Sequence, residues 1–365
     1  MNQKRLIIFI PSIEGGGVEK NLFIISDYLK DKVRDISLIT ISKKFKNKFS
    51  PKIRFISPNL NFWDKLGRRK KFFVALFLLF IEILRSRNIL VFCFQGNIYC
   101  TLLCKLLGIK IIVRSNSAPD GWLHNKFKYF ISKFILGLAD KVIVNSLDFK
   151  KKFKTKFNIE ATCIYNPLNK DEIIKKSKIK NKIKFKKHKL NLISVGRFVD
   201  QKDQITLLKA INEIKDKINF NLLLVGNGVE KQNLKNYINK NYLSNQVRII
   251  NFQNNPFNLI RSSDVFILTS LYEGLPNVLL EAQVLKKFII SSNCPTGPRE
   301  ILLNGKAGFL FKVGDYKKLS NLILDYSKNK KKLSKKIKIG YKNLNRFDYK
   351  QNLEYYLKII NSLIK

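Results

Sequence analysis

Short apolar runs alternate with stretches of helical periodicity through most of the chain. The first half contains RLIIFIPSI, DISLITIS, KIRFIS, NILVFCF, IKIIVRS and DKVIVNS, and the second half contains LNLISVGR, FNLLLVGNG, QVRIINF, DVFILTS and KFIISSN. Continuous apolar strands that alternate with helices are typical of parallel sheets covered on both faces. The pattern therefore predicts an α/β protein.

The alternation stops once, after CIYNPL, at a lysine-rich polar segment. We therefore interpret residues 1–168 as a first lobe, 169–188 as a basic linker, 189–345 as a second lobe and 346–365 as a terminal amphipathic helix. A length of 365 residues suits two such domains.

Charge adds a question that the pattern leaves open. Lys and Arg number 70 against 26 acidic residues, which gives a formal net charge of +44. An acidic partner is one interpretation, and a compositional bias toward Lys, Ile, Asn and Phe is the other. Because 45% of the residues are apolar, sizeable cores can form and global disorder is excluded.

The cysteines and histidines restrict the chemistry. Five cysteines without a C-x-x-C pair, and no segment that resembles a signal peptide, predict free thiols in the cytoplasm. Two histidines are too few for a His-rich metal site and argue against a His-based hydrolase.

Residues 65–87, KLGRRKKFFVALFLLFIEILRSR, stand apart from the rest. The apolar part is too short to cross a bilayer, which takes about 20 residues. It is either a core helix on the first sheet or a surface helix whose basic flank meets anionic lipid.

Ligands of open α/β sheets bind beyond the carboxyl ends of the strands. There the first lobe has EGGGVEK, in which Gly16 and Gly17 let the backbone approach an anion. The spacing matches neither G-x-G-x-x-G nor a P-loop, which disfavours dinucleotides and ATP.

The second lobe has GRFVDQKD and VGNG at the same kind of position. Arg197 and Lys202 could both reach one diphosphate, and Gly226 would clear room for a ligand. In SLYEGLPNVLLEA, a helix is expected to begin near Pro276 or Asn277, with Glu281 about one turn in. Helix amides attract phosphate and carboxylates accept hydrogen bonds from hydroxyls, which together suit a nucleotide sugar.

These motifs, together with IYNP and NCPTGPREIL, make the chain resemble the retaining glycosyltransferases of family 4. The resemblance implies the GT-B fold, in which two Rossmann-like α/β lobes face each other across a cleft and the terminal helix can return to the first lobe.

The resemblance also implies roles for individual residues. Arg197 and Lys202 would bind the donor diphosphate, Glu273 the donor sugar and Glu281 the ribose. The segment around Phe252 would line the base, and Gly16 and Gly17 would face the phosphates and the acceptor. The loop and the first turn of the following helix would lie near the phosphate and the sugar of the donor; these residues are Gly274, Leu275, Pro276, Asn277 and Val278.

One departure from the family pattern concerns the first lobe. Many relatives have a histidine after the strand that reads IIVRSNSAPDGW here. Arg114 or Asn116 is expected to take over its contact with the substrate.

The resemblance implies transfer of a hexose or N-acetylhexosamine from a UDP-linked donor to a bacterial glycan or a polyprenyl-diphosphate-linked acceptor. Because the sequence has no D-x-D, we predict a reaction without metal or other cofactor. We expect a cytoplasmic protein, peripheral to the inner face of the membrane and attracted to anionic lipid. The alternatives are a basic nucleic-acid-binding protein, which the lack of a recognition module disfavours, and an enzyme on a dinucleotide-binding fold.

Overall fold

The computed structural model describes residues 4–14, 16–59, 62–63, 67–116, 126–180, 183, 185 and 188–364. The chain forms two compact units. Unit 1 comprises Met1–Pro167 together with Tyr349–Lys365, and unit 2 comprises Leu168–Asp348.

The sheet of unit 1 is seven-stranded and parallel throughout. Its strands are β1 (Arg5–Phe9), β2 (Ile36–Ile39), β3 (Arg54–Ile56), β4 (Ile89–Cys93), β5 (Lys110–Ser115), β6 (Lys141–Val144) and β7 (Ala161–Cys163). Their order across the sheet is β3-β2-β1-β4-β5-β6-β7, so the direction of progression reverses between β1 and β4.

The sheet of unit 2 is six-stranded and also parallel. Its strands are β8 (Leu190–Val195), β9 (Phe220–Val225), β10 (Val247–Ile250), β11 (Val265–Leu268), β12 (Phe288–Ser292) and β13 (Phe309–Phe311). Their order is β10-β9-β8-β11-β12-β13, with the reversal between β8 and β11. In such sheets the ligand crevice lies at the carboxyl ends of the two strands where the order reverses.

Helices connect the strands in both units. Unit 1 contains α1 (Gly17–Leu29), α2 (Arg68–Arg85), α3 (Asn97–Leu106), α4 (Lys126–Gly137) and α5 (Leu147–Lys152). Unit 2 contains α6 (Lys170–Ser177), α7 (Gln204–Asn212), α8 (Lys231–Lys240), α9 (Phe257–Ser262), α10 (Asn277–Val284), α11 (Pro298–Ile301) and α12 (Tyr316–Lys342). The last helix is α13 (Tyr349–Ile364). Short 3-10 helices cover Lys43–Lys48, Asp200–Lys202 and Asn343–Phe347, and a π turn covers Phe153–Phe157.

Both faces of the unit 1 sheet are covered, as continuous apolar strands require. One face packs against α1 and α13, with Leu22 and Tyr356 in the buried cluster. The other packs against α2, α3, α4 and α5, with Leu79, Cys104 and Leu136 in the buried cluster. The C-terminal helix therefore belongs to the first unit, as the resemblance implied.

The segment between the two lobes differs from the simple linker that its lysines suggested. Residues 170–177 form α6, with the Asn169 side chain accepting a hydrogen bond from the N–H of Glu172. This helix packs on α9 within unit 2, where Ile173 is buried. The two buried residues of this helix, Ile173 and Ser177, are four positions apart and therefore lie on one side of it, although the segment as a whole is basic.

Candidate functional site

The candidate site of unit 2 is built from the loops that follow β8 and β11, the two strands at which the order reverses. After β8, the 3-10 turn Asp200–Lys202 presents the Lys202 side chain. Its Nζ donates a hydrogen bond to Oε1 of Glu273 at 2.5 Å, in the loop after β11. The Ser270 hydroxyl donates to the same carboxylate oxygen at 2.6 Å. The structure thus joins Lys202, expected to bind the donor diphosphate, and Glu273, expected to bind the donor sugar, in one ion pair.

This ion pair is largely withdrawn from water. The side chain of Glu273 is 8% exposed and that of Lys202 is 16% exposed. A charge pair in such surroundings is screened far less than one on the surface. The attraction between Lys202 and Glu273 is therefore strong, and the Lys202 ammonium can also contact an anionic ligand.

Backbone contacts fix the loop that carries Glu273. Its N–H donates to the carbonyl of Pro295, and the Thr296 hydroxyl donates to the carbonyl of Glu273. Gly297 lies with φ at +84°, and a Cβ there would come within 2.1 Å of the Gly274 carbonyl oxygen. Only glycine fits this close approach, so the NCPTGPREIL segment acts as the support of the loop.

Helix α10 begins at Asn277 directly after this loop, as the sequence predicted. Asn277 and Val278 are half-buried, so the first turn of the helix lies near the surface. Leu275 is 5% exposed and packs inward, and Pro276 is buried. Glu281 lies in the second turn and is 4% exposed, which differs from an ordinary surface acid of a helix.

The other predicted residues of unit 2 have different surroundings. Arg197 is exposed, and its carbonyl accepts a hydrogen bond from the buried side chain of Gln204. Phe252 is 58% exposed in the loop after β10. Gly226 is buried, and a Cβ there would lie 1.9 Å from the carbonyl oxygen of Gly196. The missing side chain at Gly226 therefore makes room for protein backbone, whereas the sequence suggested room for a ligand.

A buried thiol lies close to the ion pair. Burial, and then the negative charge of Glu273, raise the pKa of Cys294 to about 12. Because thiolate is the reactive form, this cysteine is chemically inert near neutral pH. We assign it a packing role.

In unit 1 the glycine-rich turn leads from β1 into α1. Gly16 caps α1, and its N–H donates to Oε2 of Glu19 at 2.9 Å. Glu19 is 6% exposed and also accepts weaker bonds from the N–H of Glu14 and from the side chain of Gln95. The amide of Gly16, expected to face a phosphate, is thus bound within the protein. Gly17 is the first residue of the helix.

Arg114 requires a correction. This residue of β5 is fully buried, and its guanidinium donates to the Tyr356 hydroxyl and to Oδ1 of Asn166, each at 2.8 Å. It also lies over the ring of Phe94. These contacts fix α13 on the sheet, so the prediction that Arg114 contacts substrate has no support in its surroundings. The sequence could not indicate these contacts, because Tyr356 lies 242 positions away from Arg114.

Asn116, the other candidate to replace the histidine, lies where β5 ends. Its side-chain nitrogen donates to the carbonyl of Phe94 at 2.9 Å, while its Oδ1 has no hydrogen-bond partner among the residues that the structure describes. Within the same described part of the chain, Oε1 of Gln95 and Oδ1 of Asn145, which follow β4 and β6, are also buried without a partner. The sequence reasoning missed Gln95 and Asn145, although each is the first amide residue after an apolar strand. Unsatisfied buried acceptors at neighbouring strand ends are suited to a ligand with hydroxyl groups.

No group of three or more His, Cys, Asp or Glu side chains with metal-site geometry occurs among the residues that the structure describes. The positive groups near Glu273 are instead Lys202 and the first amides of α10. Both can stabilise developing negative charge on a phosphate.

The two parallel-sheet α/β units define the GT-B fold, which confirms the predicted fold class. The crystal structure of Anabaena HepE in complex with UDP is similar, with a TM-score of 0.78 at 16% sequence identity, covering 98% of this chain and 100% of that one.

Sequence comparison finds similarity to glycosyltransferases. Residues 175–343 match the family model described as glycosyl transferases group 1. An uncharacterized glycosyltransferase of Methanocaldococcus jannaschii is 34% identical over 52% of this chain and 49% of its own length. The N-acetylgalactosamine-N,N'-diacetylbacillosaminyl-diphospho-undecaprenol 4-alpha-N-acetylgalactosaminyltransferase of Campylobacter jejuni is 26% identical over 59% of this chain and 60% of its own length. The matches thus span about half the length of these curated relatives.

Proposed function

We propose that the protein is a retaining glycosyltransferase that uses a nucleotide sugar, with a UDP-linked hexose or N-acetylhexosamine as donor. The observation that carries the proposal is the ion pair of Lys202 and Glu273 beside the first turn of α10. It combines a cation, a carboxylate and helix amides at the strand ends where a sheet of this order binds ligands. The family match over residues 175–343 and the UDP complex of HepE support the same donor class.

In this proposal, the donor diphosphate binds Lys202, Arg197 and the amides of Asn277 and Val278. Glu273 accepts hydrogen bonds from hydroxyls of the donor sugar, and Glu281 accepts them from the ribose. When diphosphate arrives, the Lys202 ammonium can contact it while keeping Glu273 as a second partner, because an ammonium has three donors.

We propose that this reaction needs no metal ion. Cleavage of the sugar–phosphate bond leaves negative charge on the nucleoside diphosphate, which Lys202, Arg197 and the amino end of α10 would stabilise. Activity should therefore persist in EDTA. Loss of turnover in EDTA with recovery on adding Mn²⁺ or Mg²⁺ would contradict this part of the proposal.

We assign the acceptor to unit 1, where buried side-chain oxygens of Gln95, Asn116 and Asn145 have no hydrogen-bond partner among the described residues. A bacterial glycan or a polyprenyl-diphosphate-linked saccharide is the acceptor class that we favour. The printed name of the Campylobacter relative, which refers to a diphospho-undecaprenol acceptor, supports this choice. Such an acceptor would place the protein in the cytoplasm, at the inner face of the membrane.

The test is a donor screen that measures nucleotide release with and without a lipid-linked acceptor. We expect release from a UDP-sugar, and Glu273→Gln and Lys202→Ala should each lower kcat/KM by about 100-fold or more. Glu213→Gln and Lys209→Ala, exposed residues of the same unit, are matched controls that should retain activity. The anomeric configuration of the product, read by NMR, tests retention. Nucleotide release that is equal in all four variants would refute the assigned site.

A further inference from the structure

Large apolar side chains that face solvent are concentrated on three helices of unit 1. We call their exposed apolar positions the three-helix surface. It consists of Phe73, Phe77 and Leu84 on α2, Tyr99, Leu102 and Leu106 on α3, and Phe127, Phe130 and Phe134 on α4. Single exposed apolar residues are ordinary on protein surfaces, but large contiguous sets mark interaction sites.

The spacing puts each set on one side of its helix. Positions 73, 77 and 84 are separated by four and seven residues, and positions 127, 130 and 134 by three and four. The opposite sides carry the buried residues Leu79, Cys104 and Leu136, which all pack on the same face of the sheet. Because α2 contacts α3 and α3 contacts α4, the three exposed stripes lie side by side.

These side chains are too exposed to serve the core. Phe73 is 72% exposed, Phe127 is 73% exposed and Phe130 is 69% exposed. A covering partner would remove this apolar area from water, which is favourable at about 25 cal/mol for each Å².

The charge of the helices identifies the partner. Their sequences contain nine lysines and arginines and one acidic residue, Glu82. That glutamate is 2% exposed and forms ion pairs with Arg5 and Arg85, so it contributes no free negative charge. Aromatic stripes flanked only by basic residues match the interface of an anionic bilayer, which takes both apolar rings and cations.

We propose that the three-helix surface docks unit 1 on an anionic lipid bilayer. None of the helices in the described part of the chain has both the length and the apolar character needed to cross a membrane. Docking is therefore interfacial, with the phenylalanine rings at the level of the headgroups. This extends the surface-helix interpretation of residues 65–87, which include α2, to a surface formed by three helices.

The experiment is flotation of the full chain with vesicles of equimolar phosphatidylglycerol and phosphatidylcholine, or of phosphatidylcholine alone. Two double variants, Phe73→Ser/Phe77→Ser and Phe130→Ser/Phe134→Ser, remove rings without changing charge. The control Tyr242→Ser/Tyr355→Ser removes two exposed rings outside the surface. Circular dichroism melts check that each variant is folded.

We expect the chain to bind the anionic vesicles, and each phenylalanine variant to bind about tenfold or more weakly, with most of the remaining binding lost on adding salt. The tyrosine control should bind as the wild type does. Equal binding by all variants would overturn the proposal, because nonspecific lysine attraction would then suffice. A dimer that the phenylalanine variants disrupt, without any effect on vesicles, would instead assign the surface to a second copy. Vesicle binding needs neither donor nor acceptor, so this result is independent of the proposed activity.

Discussion

The ion pair of Lys202 and Glu273 allows stability and ligand binding to be separated in one set of variants. Lys202→Met removes the cation and leaves a carboxylate whose side chain is only 8% exposed. Glu273→Gln keeps an oxygen for the Ser270 hydroxyl and leaves a lysine whose flexible stem can turn toward water. The double variant leaves no unpaired charge at all.

The magnitudes follow from these surroundings. Removing one partner of a buried pair costs about 3–5 kcal/mol, and the remaining hydrogen bond from Ser270 places Lys202→Met near the lower limit, at about 3 kcal/mol. Glu273→Gln should cost about 1–2 kcal/mol, since Lys202 can be rehydrated. The double variant should be less destabilised than the sum of the single ones, with a coupling energy of about 2 kcal/mol.

Urea denaturation followed by two probes measures these values. Trp63 lies in unit 1, and Trp122, which is outside the described residues, falls within the same range of the sequence. Tryptophan fluorescence is therefore the probe of unit 1, whereas far-UV circular dichroism reports both units. The circular dichroism transition should shift more than the fluorescence transition in each variant. UDP should raise the stability of the wild type and have little effect on Lys202→Met. A Glu273→Gln variant less stable than Lys202→Met, or strictly additive effects, would refute the reasoning.

Three further predictions concern other parts of the structure. Burial alone would raise the pKa of Glu82, but the charges of and hydrogen bonds from its arginine partners lower it below the usual 4.5. Glu82→Gln should therefore lower the free energy of unfolding of unit 1 by about 2 kcal/mol near neutral pH, as measured by tryptophan fluorescence in urea. The difference from the wild type should shrink as the pH falls below 4.5, because the carboxylate of the wild type is then protonated. A difference that does not depend on pH would contradict this. Gly297→Ala should weaken UDP binding in calorimetry, whereas Gly314→Ala, which has a positive φ but no atom within 4 Å of the added Cβ, should only lower stability; equal UDP affinity in both would argue against the role of Gly297. Cys294, whose pKa is raised to about 12, should resist iodoacetamide in the native protein and react with it in urea. Mass spectrometry measures the labelling, and rapid labelling of the native protein would contradict the burial of this thiol.

Strand positions could be predicted wherever the apolar run was long. The runs that the pattern singled out became β1 to β6 and β8 to β12. The two strands that it missed, β7 and β13, have three residues each and lie at the edges of their sheets. Length alone does not explain why they were missed, because the edge strand β3 is equally short and was predicted from the run KIRFIS.

The site shows a different limit of sequence reasoning. The start of α10 and the place of Lys202 and Glu273 at strand ends could be predicted, because local pattern determines both. The surroundings of Gly226 could not be predicted. This glycine follows β9 and lies against the backbone of Gly196, which follows the neighbouring strand β8. Likewise, the sequence does not indicate that the Glu19 carboxylate accepts a hydrogen bond from the N–H of Gly16.

The origin of the net charge can be argued by comparing two helical regions. Helix α12 contains ten lysines and one aspartate, an excess of nine basic residues, which is larger than the excess of eight in α2, α3 and α4 combined. Yet its only large apolar residue that faces solvent, among those described, is Ile339, at 39% exposure. Basic charge is therefore spread over the protein in a way that composition explains, and charge alone does not distinguish a docking face. The aromatic stripes do, because in the part of the chain that the structure describes they coincide with lysine and arginine on the three-helix surface.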